Sequence, residues 1–449
     1  MVTRKYLISH SWQTVLRAWA AGLLCLVRVF AQDAPSTADD PKAKAIAFIK
    51  MLQGGKLSCP LDMLTEIPAV WSLTPDRLGA AFVVPKGVEL GKNPFFQWMT
   101  TDRTRAVFLK HPYSNLEVDL TLSGGEIPVE EVVVDFLGGK LNGITFSLYN
   151  KGDSGEISKV DFQARFTLCG KKMSELLKVK PASRKANPAE GLLAEGWTWI
   201  SNNGMATLEH NPEANQGKVE FLRLKIAPRD AKGAMAAAFQ SRSSAVKLSD
   251  LPKFVTKAQN GDVFINGIPM VDQGPKGYCV VASAQRLFEY YGIPADQHQI
   301  AQVAGTDAKT GTSTLAMAEA LGKIDYRFKT RFKILCMASG ADQLVEVDER
   351  KMTVGKPVGE DRFGKDIRRH IDGGIPLLWA LRLGIYPESP SIVRQAGGNH
   401  MRMVIGYNEK TGDVLFSDSW GAGHELKRMK LGDSYKATLG LFVMSPTVR

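Results

Sequence analysis

Between Val271 and Tyr291 the chain passes from a turn-rich run, Val271-Asp272-Gln273-Gly274-Pro275-Lys276-Gly277-Tyr278, into a stretch with helical spacing. Val280, Ala284, Leu287, Phe288 and Tyr291 recur every three or four residues, and Gly292 with Pro294 closes the pattern. Whatever this part of the chain folds into must carry a helix that begins at Cys279, entered from an extended stretch that ends at Met270. The unpaired N–H groups of a helix start carry partial positive charge, which favours a thiolate and lowers the thiol pKa. Gln273 precedes Cys279 by six residues. That spacing lets a side-chain amide and the cysteine N–H converge on one point, as stabilisation of an oxyanion requires.

Far downstream, Gly397-Gly398-Asn399-His400-Met401-Arg402-Met403-Val404-Ile405-Gly406-Tyr407, a turn over Asn408–Gly412, and Asp413-Val414-Leu415-Phe416-Ser417-Asp418-Ser419-Trp420-Gly421 read as a β-hairpin. A five-residue loop places position 402 opposite 418, so His400 and Asp418 lie diagonally on one face. A carboxylate there fixes the imidazole tautomer and turns the other ring nitrogen toward a thiol. His298, His370 and His424 are expected to be surface or structural histidines.

With these residues in place, the region from 263 to 449 resembles the papain-like cysteine peptidases, which share the order Gln273, Cys279, His400, Asp418 and the Ser419-Trp420-Gly421 tripeptide. The YYG-type end of the first helix, Tyr290-Tyr291-Gly292, and aspartate as third member are similar to the C39-like, bacteriocin-processing-type branch. Two features depart from those patterns. Papain has asparagine before the Ser-Trp-Gly tripeptide, and C39 enzymes usually have Asp-Cys-Gly where this chain has Tyr278-Cys279-Val280. The resemblance implies a C-terminal papain-like fold with Cys279 as nucleophile, His400 as base, Asp418 orienting it and Gln273 in the oxyanion hole. It further implies a peptide or protein substrate and no cofactor. The same triad fits acyl transfer to an amine or hydrolysis of a glutamine side chain, as in transglutaminase-like relatives. A non-catalytic binding protein on a peptidase-like fold is the alternative of a different class.

A chain of 449 residues exceeds one ordinary core and suggests two domains. Residues 40–230 are expected to form an α+β domain with a mainly antiparallel sheet. Helical spacing runs over 43–57, and Thr74-Pro75-Asp76 caps a short helix. Strands are expected over Arg105–Leu109, Leu116–Leu122, Glu131–Phe136, Gly143–Tyr149, Lys159–Leu168, Gly196–Ile200 and Lys218–Ile226, with a helix over Ser174–Val179. Small and polar residues over 231–262 mark a linker. In the last part, Gln297–Val303, Ser313–Gly322 and Asp366–Ile371 read as helices, and the apolar run Ile375–Leu381 as a buried element. All candidate catalytic residues lie at or after Gln273, so the chemistry is expected not to need residues 40–230. That region is better suited to a partner, a substrate or the cell envelope.

Residues 1–31 combine Arg4 and Lys5 with an apolar stretch, Ala18–Val27, and small residues near Ala31, the pattern of an export signal and too short for a permanent membrane span. The expected location is secreted, periplasmic or at the cell envelope. Removal of Arg4, Lys5, Arg17 and Arg28 takes the formal charge from +11 to +7. Those charges are scattered, which argues against nucleic acid as a partner. Cys59, Cys169, Cys279 and Cys336 remain; none is in a CxxC pair or near histidines at zinc-ligand spacing, so no metal is expected, and a Cys59–Cys169 bridge stays open.

Overall fold

A computed structural model describes residues 56–82, 95–110, 117–186, 193–239, 246–273, 278–295, 297, 300, 322, 325–338, 346–347, 350–351, 358–391 and 398–448. The expected export signal, and nearly all of the helices expected over 43–57, Gln297–Val303 and Ser313–Gly322, lie outside these residues. Lys56 and Leu57, expected at the end of the first of those helices, instead open a strand, because their backbone pairs with Glu117 and Val118. The chain is a mixed α+β protein built on two eight-stranded sheets and smaller strand groups.

In the first half the strands are β1 (Lys56–Pro60), β2 (Phe96–Trp98), β3 (Arg105–Leu109), β4 (Glu117–Leu122), β5 (Ile127–Val129), β6 (Glu131–Leu137), β7 (Lys140–Asn150), β8 (Ala182–Arg184), β9 (Glu195–Ser201), β10 (Gly204–His210) and β11 (Phe221–Ala227). The helices are α1 (Pro75–Ala81), α2 (Lys151–Ser154), α3 (Lys159–Leu177) and α4 (Gly233–Ala238). An antiparallel sheet runs β2-β3-β6-β7-β11-β10-β9-β8, and β1 pairs in parallel with β4 beside β5. Thr74 caps α1 as expected, its hydroxyl accepting from the Arg77 N–H at 3.3 Å.

Lys159–Leu168, expected as a strand, is the first half of helix α3. Val160, Phe162, Ala164, Phe166 and Leu168 do alternate, but Phe162, Phe166, Cys169, Met173 and Leu177 also fall on one helical face, and that face is the buried one. Val160, 77% exposed, shows that the alternation is unused. Ser158 fixes the start, its hydroxyl accepting from the Asp161 N–H at 3.0 Å. The helix seats on β9 and β10, with the Phe166 and Trp197 rings 4.4 Å apart. A Cβ at Gly170 would lie 2.1 Å from Trp197, so only glycine permits this approach. Each of these large apolar side chains stabilises the fold by about 1.5–3 kcal/mol on burial.

In the second half β12 (Val255–Lys257), β13 (Asp262–Ile265), β14 (Thr330–Met337), β17 (Leu377–Arg382), β18 (Asn399–Asn408), β19 (Asp413–Ser417), β20 (Lys427–Lys430) and β21 (Thr438–Pro446) form one sheet, and β15 (Glu346–Val347) with β16 (Arg350–Lys351) a two-stranded ribbon. The helices α5 (Cys279–Tyr290), α6 (Glu360–Asp372) and α7 (Leu431–Ala437) accompany it. The apolar run after Gly374 becomes β17, between β18 and β21. Helix α5 packs on β18, burying Val281, Ala284, Leu287 and Phe288 against Leu378, Met401 and Met403 in the core of this half.

The halves meet along the β2–β3 hairpin. Met99 and Val107 bury Met270. Arg105 donates to Asp135, to the Met270 carbonyl and to Glu289 of α5. A cleft of about 710 Å³ lies between the halves; its walls include Asp272 and Ser417 but neither Cys279 nor His400.

Candidate active site

Cys279 is the first residue of α5, as the spacing predicts. His400 is the second residue of β18, packed directly against that helix; Ser283 Oγ donates to the Met401 carbonyl at 3.3 Å and ties the two together. The hairpin after His400 reaches the expected register by another route. Asn408 pairs with Asp413, so the turn has four residues and not five, and a bulge at Ile405 supplies the missing offset. Met403 then pairs with Ser417, which carries position 402 opposite 418.

The structure brings the four predicted residues together. His400 Nε2 lies 3.1 Å from Asp418 Oδ1, and the imidazole and the Cys279 thiol are close enough to shift each other's titration. Both members of the histidine–carboxylate pair are buried. Gln273 is held by Ser419 twice: its N–H donates to the Ser419 carbonyl at 3.0 Å, and its Oε1 accepts from Ser419 Oγ at 2.8 Å. An amide engaged through its oxygen has its two N–H donors on Nε2, at the other end of the group.

The electrostatics follow from burial opposed by partners. Burial alone would push the Cys279 thiol up, but the hydrogen bond and charge of His400, with backbone hydrogen bonds at Met401 and Val280, bring it below the ordinary cysteine value. Burial would lower the imidazole, yet the hydrogen bonds to Asp418 and Cys279 and their charges raise it. Both directions favour a thiolate–imidazolium pair. Cys59 and Cys169, free thiols without such partners, are pushed up to about 12 by burial. They are not bridged to each other.

Several residues that hold this arrangement were not legible in the sequence. Arg402, two residues after His400 on the same face of β18, donates from Nε to Asp418 Oδ1 at 2.8 Å and from Nη1 to Glu388 Oε2 at 2.6 Å. Lys427 Nζ lies 3.6 Å from Asp418 Oδ2 and also donates to Glu388. Two carboxylates and two cations thus form a largely buried network behind His400. It holds the Asp418 carboxyl at about 2, against burial, chiefly through Arg402. A polar residue alternating with apolar ones, as Arg402 does between Met401 and Met403, was the available signal.

Trp420 stacks on the His400 ring, 4.6 Å between centroids at 22°. Gly421, at φ 81°, turns the chain immediately afterwards, a conformation that only glycine adopts without strain. His424 packs edge-on against Trp420 at 5.5 Å, and its carbonyl accepts from the Asp418 N–H, so its role is support. His370, on α6, bonds the Asp366 carbonyl away from the site; His298 lies outside the described residues. Arg286 of α5 reaches the Pro269 carbonyl, the Asp418 carbonyl and Ser417 Oγ, joining the three segments that carry Gln273, Cys279 and Asp418.

Among the described residues no group of three His, Cys, Asp or Glu is placed to hold a metal ion, and no described helix is long and apolar enough to cross a membrane. Chemically, the arrangement sets a thiol with a lowered pKa at a helix start beside a histidine bonded to a carboxylate. No curated protein matches the chain. Residues 265–441 match the model of the Peptidase_C39 like family.

Proposed function

Because residues 265–441 belong to the Peptidase_C39 like family, we propose that this chain is a cysteine peptidase that cleaves peptide bonds through Cys279 and His400. The observation that carries the reading is His400 bonded to Asp418 at the end of a strand packed on the helix that Cys279 opens. The second half then has the papain-like arrangement, a nucleophile helix packed on the sheet that carries the base.

In the first step the Cys279 thiolate attacks the substrate carbonyl carbon. The new C–S bond pushes the carbonyl electrons onto oxygen, where Gln273 Nε2 and the Cys279 N–H stabilise them. Protonated His400 gives its proton to the amide nitrogen, the C–N bond breaks, and the amine leaves. Water, deprotonated by His400, attacks the thioester and expels the thiolate, releasing the acid. Asp418 keeps Nε2 protonated, so the other ring nitrogen does the proton transfer. The basic start and apolar stretch of residues 1–31 support export as the route to its substrates.

The test is hydrolysis of a peptide library by the full chain, with Cys279→Ala and His400→Ala as controls. Both variants should lose nearly all turnover, and newly formed amino termini should match the acid released. Ammonia released from glutamine without peptide cleavage would overturn the peptidase reading in favour of deamidation on the same pair.

A further inference from the structure

Resting on the peptidase reading, we propose that the β2–β3 hairpin of the first half positions the oxyanion donor Gln273, with Arg105 and Gln97 as positioning residues. This runs against the sequence expectation that catalysis does not need residues 40–230.

Gln273 lies in a stretch, residues 266–273, that has no regular secondary structure. Such a segment lacks a hydrogen-bond ladder of its own, so its position is set by what grips it. Within its own half the anchors include the Phe254 carbonyl, which accepts from the Asn266 N–H at 2.8 Å, Arg286, which donates to the Pro269 carbonyl at 2.8 Å, and Ser419 at Gln273 itself. Further anchors come from the hairpin. Arg105 Nη1 donates to the Met270 carbonyl at 2.9 Å. The Met270 side chain, 2% exposed, is buried against Met99 and Val107. Gln97 Nε2 donates to Asp272 Oδ2 at 3.0 Å, one residue before Gln273.

Arg105 is itself held in place. Its Nε bonds Asp135 of β6 at 2.6 Å and its Nη2 bonds Glu289 of α5 at 2.8 Å, so one guanidinium joins the first sheet, the nucleophile helix and the oxyanion segment. A planar fork with fixed donors does this better than a lysine, whose ammonium cannot span three acceptors. Farther along, the Thr101 N–H bonds Glu425 at 2.8 Å, five residues past Trp420. The hairpin therefore touches both loops that flank the reacting point. The Cys279–His400 pair, by contrast, is set by α5 packed on β18 and receives no contact from the hairpin among the bonds that define it.

The proposal separates these two parts of the site, and a double-mutant cycle on the full chain reads the separation. Arg105→Met should lower kcat roughly tenfold with KM nearly unchanged, the scale of a small misplacement of a transition-state donor. Gln97→Ala, which loses one hydrogen bond, should lower it roughly threefold. The pH profile of Cys279 alkylation should stay where it is in both. On a Gln273→Ala background, neither substitution should lower kcat further. Arg105→Lys should recover part of the loss. Equal losses with and without Gln273, or a shift of the alkylation profile, would mean general loosening of the chain and would overturn the proposal alone. Should Arg105→Met unfold, Gln97→Ala carries the same cycle. A wild-type chain without Gln273-dependent turnover and without selective alkylation of Cys279 would overturn the peptidase reading, and the proposal with it.

Discussion

Replacing Asp418 with asparagine separates two jobs that this carboxylate does at once. It orients His400, and it neutralises the buried Arg402 and Lys427. The sequence suggests a mild effect, since an amide oxygen also accepts from an imidazole N–H. The structure predicts otherwise for stability. Holding the carboxyl at about 2 against an ordinary 3.8 corresponds to about 2.5 kcal/mol of net favour for the charged form. Because the folded value is depressed, that contribution is present above the ordinary value and lost as pH falls towards 2. Removing one member of a buried ion cluster leaves its partners uncompensated and costs about 3–5 kcal/mol. Glu388 alone would then face Arg402 and Lys427, and the asparagine NH₂ would point at an ammonium. Urea unfolding at neutral pH, followed by circular dichroism, should register that loss for Asp418→Asn. Adding Lys427→Met should return part of it, because Glu388 and Arg402 then form a neutral pair. Turnover of the folded variant should fall only about tenfold, the orienting bond being kept, and the alkaline limb of its pH profile should move down as His400 loses the charge that raises it. An Asp418→Asn chain within about 1 kcal/mol of wild type, or a double variant no more stable than the single, would refute the reasoning.

Cys279 should be alkylated by iodoacetamide well below the pH at which ordinary thiols react, and the rate should fall only as pH drops through its lowered value; His400→Ala should move that limb upward, as burial then acts unopposed. Mass spectrometry after limited treatment should find Cys59 and Cys169 unmodified while Cys279 is labelled, and equal labelling would remove Cys279 as nucleophile. Gln273→Ala should reduce kcat by about 10²–10³. Ser419→Ala, which frees the amide to rotate, should reduce it by less, roughly tenfold, and the two should not add.

What could be read from the sequence was what local spacing dictates. Cys279 at a helix start follows from the turn residues before it and the three-and-four spacing after it, and the His400 hairpin follows from its alternation and turn. The first-half strands at Arg105–Leu109 and Glu131–Leu137 were legible for the same reason. Helix α3 was misread because its first ten residues satisfy both periods, and only packing against Trp197 decides between them. The charged network was hidden for a different reason. Glu388, Arg402, Asp418 and Lys427 are close only after β18, β19 and β20 have paired and Ser389 has bridged to Arg428, and buried ions look like surface ions in a sequence. Arg105 was equally silent, since its three acceptors lie in β6, before Gln273 and on α5.

The bulge at Ile405 sits at a seam. On one edge β18 pairs with β17 up to Val404 and with β13 from Gly406, while on the other edge the offset against β19 falls between the same two residues. Ile405 is therefore the one position in this strand that no neighbour counts. Shortening the chain there would straighten the strand and leave Val404 opposite Phe416, with His400 still on the face of Asp418. Shortening it at Met401 or Met403 would turn His400 to the opposite face. Length variation among chains of this design can thus collect at a single residue without disturbing the chemistry a few residues upstream.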